Sequence, residues 1–197
     1  MAVYGTPRRL PVDEHAQLAP DNPYGLGKVM VEEALSSVSL RYFNAAGAAE
    51  DGSLGETANG PTNLIPRVMR ALAGMDDAVP IYGTDYPTPD GTAVRDYVHV
   101  EDLARAHVRA LELVSQIAGE RTYNLGTGPG YSVREVLEAS ERVSGRPVPH
   151  RVSPRRPGDP AEVWADASAA ARELGWRAER DLDDIVRSAW RSVQRGG

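Results

Sequence analysis

Proline and glycine interrupt this chain at short intervals, taking 15 and 19 of its 197 residues. Proline has no amide for a helix or sheet ladder, and glycine costs either element backbone entropy, so long uninterrupted elements are excluded. Short helices and strands joined by many turns remain. The length suits one domain of ordinary size, or one and a half, and can bury roughly 70% of its extended surface. No cysteine is present, which excludes disulfide scaffolds, cysteine zinc sites, iron–sulfur ligation and thiol nucleophiles. With 28 acids against 22 bases the formal charge is −6, which argues against non-specific nucleic-acid binding and a polybasic membrane surface. No apolar run approaches the ~18 residues of a spanning helix. Met1 to Gly5 carries neither the charged nor the apolar region of a signal peptide, so a cytoplasmic location is expected.

Along the chain, residues 6–21 hold three prolines and no sustained period. Asn22-Pro23 is a helix start, since asparagine caps free amides and proline suits the first helical position. That helix is predicted over Tyr24 to about Leu35, weakened by Gly25 and Gly27. Val38 to Phe43 reads as a strand, then Asn44-Ala45-Ala46-Gly47 opens a glycine-rich loop to Pro61. A helix fits Leu64 to Leu72, and Val79 to Gly83 is extended. From Glu101 to Val114 the apolar Leu103, Ala106, Ala110, Leu111 and Val114 follow helical spacing on one face. Thr122 to Leu125 reads as a strand ending at Gly126. Ser132 with Glu135 forms a capping box for a helix whose inner face is Val133, Val136, Leu137 and Val143. Pro147 to Pro160 reads as a proline-rich loop, Ser168 to Leu174 as a helix stopped by Gly175, and Leu182 to Val193 as an amphipathic helix. Strands alternating with helices predict an α/β fold.

Chemistry-bearing residues are few. Tyr24 and Lys28 lie four apart on one helical face, where an ammonium beside a phenol favours the phenolate. Such a pair can take a proton from a hydroxyl while a hydride leaves the adjoining carbon. An exposed pair with no role is the commoner meaning of that spacing. Gly126-Thr127-Gly128-Pro129-Gly130 sits between a strand and a capped helix, but Tyr131 stands where a dinucleotide fingerprint needs its third glycine, so a tight turn is the better reading. Arg95-Asp96, Arg155-Arg156 and Asp159 could clamp a diphosphate and a ribose. His15, His99, His107 and His150 show no ligand spacing, so no metal is expected. Trp164, Trp176 and Trp190 are read as packing residues.

Taken in order, several runs resemble the UDP-glucose 4-epimerases of the extended short-chain dehydrogenase/reductase family. They are Val3-Tyr4-Gly5, Asn22-Pro23-Tyr24 to Lys28, Leu40 to Gly47, Asn63-Leu64-Ile65-Pro66, Tyr82 to Thr92, Val94 to Val100, Tyr123 to Gly128 and Arg155-Arg156-Pro157-Gly158-Asp159. The likeness is collinear over nearly all of the chain, and the Tyr86-Pro87-Thr88-Pro89-Asp90-Gly91-Thr92 run is its most distinctive part.

The resemblance implies a partial Rossmann-like parallel sheet with a smaller α/β substrate-binding domain. Residues 1–43 would be the NAD-binding part and residues 44–197 mainly the UDP-sugar-binding part. It implies Tyr24 as catalytic base, with Lys28 lowering its pKa and binding the cofactor ribose. Phe43 would lie near the nicotinamide. Asn44, Asn63, Arg95 and Arg156 would hold the UDP diphosphate, with Leu64 beside them, Asp159 the ribose, and Ile81-Tyr82 the uracil. Val163 falls at the position that gates the sugar pocket, where a small residue goes with admitting N-acetylated sugars, so UDP-glucose and UDP-N-acetylglucosamine are both candidate substrates. NAD is the implied cofactor and a homodimer the implied assembly, without nucleic-acid or membrane partners.

The departures qualify this. The family's glycine-rich NAD loop, first Rossmann strands and catalytic serine have no counterpart here, so an N-terminally truncated chain is expected. The stretch between Lys28 and Leu40 is also shorter than in the family, with Ser36-Ser37 closing the gap. Two readings follow: an NAD-dependent UDP-hexose 4-epimerase, or a non-catalytic remnant that binds UDP-sugars. A related dehydratase or decarboxylase would need further acid or base residues that the chain does not display.

Overall fold

The structure is a computed structural model that describes residues 2–34, 38–56, 63–114 and 119–196. In chain order the elements are α1 (Pro23–Ala34), β1 (Val38–Tyr42), β2 (Asn44–Ala46), α2 (Leu64–Leu72), β3 (Val79–Tyr82), β4 (Val94–Arg95), β5 (Tyr97–His99), α3 (Val100–Val114), β6 (Arg121–Leu125), β7 (Tyr131–Ser132), α4 (Val133–Ser144), β8 (His150–Ser153), β9 (Glu162–Val163), a π-helical turn (Ala170–Leu174) and α5 (Leu182–Gly196). This is the expected α/β class. The helix end at Leu35, the Ser36-Ser37 closure and the loop's end at Pro61 lie outside the described residues.

Capping works as the residue types dictate. The Asn22 side-chain oxygen accepts from the Gly25 amide at 2.9 Å and so starts α1. Ser132 and Glu135 make the reciprocal capping box at α4. Gly25, expected to weaken α1, instead lets it dock. A Cβ there would stand 2.4 Å from the Ala2 carbonyl oxygen and 2.9 Å from the Pro20 Cβ. Only a residue without a side chain allows the helix to lie this close to the 2–20 segment.

The strands are short and mostly parallel. β1 pairs with β6, β2 with β5, and β3 with β8, all in parallel, while β4 lies between antiparallel β7 and parallel β9. The β1–β6 ladder joins the first 43 residues to the later ones in a single sheet. Two strand runs are each broken by one residue: Phe43 separates β1 from β2, and Asp96 separates β4 from β5. The breaks meet, because the Asn44 amide donates to the Asp96 carbonyl at 2.9 Å. β8 corrects the reading of residues 147–160 as loop. Its ladder partner, β3, lies some seventy residues earlier, so no local pattern announces it.

Three apolar clusters hold these elements. The largest packs α2, α4 and α5 over β3, with Val68, Val136, Ile185 and Val186 fully buried. Burying such a side chain is worth roughly 1.5–3 kcal/mol. The second joins α3, β6 and the π-helical turn through Leu103, Ala106, Tyr123 and Trp176. The third joins the N-terminal segment and α1 to β9 through Val3, Tyr4, Val12, Val29, Phe43 and Val163.

The inner face of α3 differs from the expected one. Leu103, Ala106 and Ala110 are buried, but Leu111 and Val114 are exposed. Asp102 sets the rotation. Its buried carboxylate accepts from the Glu179 and Arg180 amides and pairs with the Arg180 guanidinium at 2.8 Å, so the helix turns that side inward. Trp176 and Trp190 are buried, in keeping with a packing role. Among the described residues, no helix is long and apolar enough to cross a membrane and no cluster of metal-ligating side chains occurs.

Candidate active site

Where the two strand breaks meet, a cleft of about 390 Å³ opens between the start of α2, the end of β3 and the 154–159 loop. Asn44, Asn63, Leu64, Tyr82, Arg95, Arg156 and Asp159 line it, together with Phe43. These residues come from five separate stretches of chain. Four expected residues are not brought to this cleft. Ile81 faces the largest core cluster, and Val163 is fully buried in the third cluster beside Phe43. Tyr24 and Lys28 sit on α1, where Tyr24 is 67% exposed and the Lys28 ammonium lies 5.3 Å from the centre of its ring.

The lining also includes Arg67 and Tyr97, which sequence reasoning passed over. Arg67 had a visible signal: it follows Leu64 by three residues, one turn along the same helical face. Tyr97 lay inside a motif run but carried no role. Burial pushes its phenol up to about 12, with Arg95 and Arg156 opposing, so it stays a neutral wall at ordinary pH.

Charge in the cleft is concentrated and uneven. Asp159 accepts from Arg156 Nε at 2.8 Å and lies 3.7 Å from Arg95 Nη2. Two guanidiniums against one carboxylate leave a surplus positive charge. Burial draws the Arg95 guanidinium below the usual arginine range, against the pull of Asp159, and its side chain is only 11% exposed. A half-neutralised, desolvated cation of this kind favours an anionic ligand. The Arg156 guanidinium lies over the Tyr82 ring at 4.7 Å. The N-terminus of α2 opens onto the same space, and Asn63 makes no side-chain cap there. Asn44 Oδ1 is buried without a hydrogen-bond partner among the described residues. Leaving such an acceptor unmet costs about 1–3 kcal/mol, which a ligand donor would recover.

The expected clamp loses two members. Asp96 turns away from the cleft and accepts from the Thr127 amide and hydroxyl, each at 2.8 Å, and from the Ala165 amide at 3.1 Å. Strand alternation is the cause: with Arg95 facing the cleft, its neighbour must face the other way. Burial raises the Asp96 carboxyl, with those donors pulling it back down. A Cβ on Gly126 would meet Asp96 Oδ2 at 2.2 Å, so Asp96 fills the start of the 126–130 stretch, while Gly126 to Pro129 border a second cavity beside Trp164 and Ala165. Arg155 likewise faces outward, donating to Asp85 Oδ1 at 2.7 Å.

A family model described as GDP-mannose 4,6 dehydratase matches residues 1–189. The chain belongs to this family. Within it, the chain is 48% identical over 200 residues to a UDP-glucose 4-epimerase of Bacillus subtilis (strain 168), covering 96% of this chain and 59% of that protein. A human UDP-glucose 4-epimerase is 44% identical, with 96% and 58% covered. Among solved structures of the family, the UDP-glucose 4-epimerase of Stenotrophomonas maltophila with bound NAD and formylated UDP-arabinopyranose superposes with a TM-score of 0.95 at 44% identity, over 98% of this chain and 61% of that one. The Bifidobacterium longum enzyme in complex with NAD+ and UDP gives 0.89 at 46% identity, with 98% and 61% covered. The chain thus spans about three-fifths of the length of the relatives it matches.

Proposed function

We propose that the cleft binds the UDP part of a nucleotide sugar, and that the chain supplies the substrate side of an NAD-dependent epimerisation of UDP-hexoses at sugar carbon 4. The observation that carries this reading is the Arg95–Asp159–Arg156 arrangement beside the α2 N-terminus, a positively biased site with an unmet acceptor at Asn44. In this reading Arg95, Arg156 and the start of α2 hold the diphosphate, with Asn44 and Asn63 positioned alongside. Asp159 exchanges part of its pairing with arginine for a ribose hydroxyl. Tyr82, already stacked on a guanidinium, offers a ring face to uracil. Residues 44–197 carry the substrate side, and Tyr24, Lys28 and Phe43 the cofactor side.

The residues present fit NAD in part. Tyr24 and Lys28 share one helical face and Phe43 is buried nearby in the cluster that includes α1, which suits the nicotinamide end. In the 126–130 stretch the Thr127 amide is already taken by the Asp96 carboxylate, which does not suit the diphosphate end. When bound, NAD supplies hydride uptake and return at carbon 4. Tyr24 would hold and move the proton of the sugar 4-hydroxyl, with Lys28 beside it. Exposed Leu26, Met30 and Val31 on the same helix are in keeping with the homodimer expected on family grounds.

Calorimetric titration of the purified chain with UDP tests the binding reading. Saturable binding, weakened in Arg156→Ala, is expected; no heat and no rise in melting midpoint with millimolar UDP would overturn it. The second reading, UDP-sugar binding without turnover, is favoured by the exposure of Tyr24 away from the cleft. Conversion of UDP-galactose to UDP-glucose with added NAD, abolished by Tyr24→Phe, would decide against it.

A further inference from the structure

Arg155 and Arg156 are consecutive, yet they stack on different tyrosines of one strand end. Arg156 lies over Tyr82 in the cleft, whereas Arg155 lies over Tyr86 on the outer side, 4.2 Å from the ring centre. Arg155 is fastened further by Nε to Asp85 Oδ1 at 2.7 Å and by Nη2 to the Asp85 carbonyl oxygen. Its aliphatic stem crosses Gly83, where a Cβ would come 2.6 Å from the Arg155 Cγ and 2.8 Å from the Tyr86 ring. Glycine is therefore required for that passage. Just before it, the Gly83 amide donates to the Ser153 carbonyl at 2.8 Å, so the outer contacts extend the β3–β8 ladder to the 154–159 loop.

That loop presents two of the cleft's charged groups. Arg156 and Asp159 bind each other, Arg156 lies over Tyr82 and Asp159 reaches towards Arg95, yet their side chains remain 55% and 26% exposed. An exposed ion pair holds its own geometry weakly. The Arg155 guanidinium, with a ring on one side, bonds a backbone carbonyl as well as a carboxylate, so it ties its loop to the main chain at Asp85.

We infer that Arg155 is a positioning residue for the nucleotide diphosphate: by clasping Gly83, Asp85 and Tyr86 from outside the cleft, it sets the backbone from which Arg156 reaches the diphosphate. This rests on the UDP-binding reading above and adds a residue that does not itself touch the ligand.

The test compares UDP and uridine affinities in the wild-type chain, Arg155→Ala, Arg156→Ala and the double variant. Arg155→Ala is expected to weaken UDP about tenfold and uridine by less than about twofold, as suits a residue acting through a phosphate ligand. The double variant should bind UDP no more weakly than Arg156→Ala alone, because both substitutions remove one route. Asp85→Ala, on an exposed loop and so safe for folding, should give a smaller loss in the same direction. Exchange of the pair, Asp85→Arg with Arg155→Asp, should recover part of the affinity. Amide hydrogen exchange over residues 154–160 should quicken in Arg155→Ala without ligand. Wild-type UDP affinity in Arg155→Ala, or equal loss of uridine and UDP with a lowered melting midpoint, overturns the inference. Absence of UDP binding by the wild type would defeat the UDP-binding reading instead, and unchanged exchange over 154–160 would then defeat the clasp on its own terms.

Discussion

The cleft around Arg95 and the helix face carrying Tyr24 are held in opposite ways. Around the cleft, the charged side chains are held by others of this chain: Arg95 by Asp159 and the Val94 carbonyl, Arg156 by Tyr82 and Asp159. On α1, Tyr24 stands 67% exposed beside Leu26 and Met30, with Lys28 over its ring. A binding site preorganised by its own chain can recognise a ligand unaided. A proton-transfer pair on an open surface still has water to exclude. Under the proposed function, recognition and reaction would fall on surfaces of unequal completeness.

The contrast can be broken or sharpened by substitution. The largest effect is expected behind the cleft: Asp96→Ala strands the Thr127 and Ala165 amides in the interior and should cost about 3–4 kcal/mol, read as a lowered denaturation midpoint. Arg156→Ala should leave stability nearly unchanged and reduce UDP affinity by about 2 kcal/mol in a calorimetric titration. If it instead unfolds the chain, the cleft is structural and the comparison fails.

A third test uses pH. His99 is held neutral, its Nδ1 accepting from the Glu101 amide at 3.1 Å and its Nε2 3.0 Å from the Ser188 hydroxyl. Burial, aided by Arg180, pushes its pKa below the ordinary 6.5. The unfolded chain then takes up a proton that the folded one refuses. The associated stability is complete above pH 6.5 and declines as pH falls, by at most about 1.4 kcal/mol per unit. The difference between wild type and His99→Gln isolates this slope from the opposing one of Asp96, whose raised pKa makes folding relatively more favourable in acid. The smallest effect is expected on the open face. Tyr24→Phe should alter neither stability nor UDP affinity by more than about 0.5 kcal/mol. A larger loss of UDP affinity would show that the two surfaces communicate.

How much was legible depended on whether the determining contact was local. Asn22, Ser132 and Glu135 announce helix starts because capping is settled within three residues, and α2 was read over its whole length. The short strands β2, β4, β8 and β9 were not, because they exist through partners far along the chain. Gly25 was misjudged for a related reason: propensity counts its entropic cost and cannot see Ala2 and Pro20 against it. Leu111 and Val114 fit the helical period, yet a buried carboxylate at Asp102 turned them outward. Of the expected site residues, those that meet in the cleft were recognised through motif runs. The turn of Asp96 into the interior and of Arg155 to the outside needed the register of the folded strands.

The inward turn of Asp96 has a practical corollary for anyone recombining such proteins. Residues 94–96, the 124–130 turn and the backbone at Ala165 share one carboxylate, so they behave as a single exchangeable cassette. Grafting the cleft loops of a relative without the turn behind them would orphan that carboxylate. A transplant of ligand preference therefore has its natural seams well outside the residues that touch the ligand.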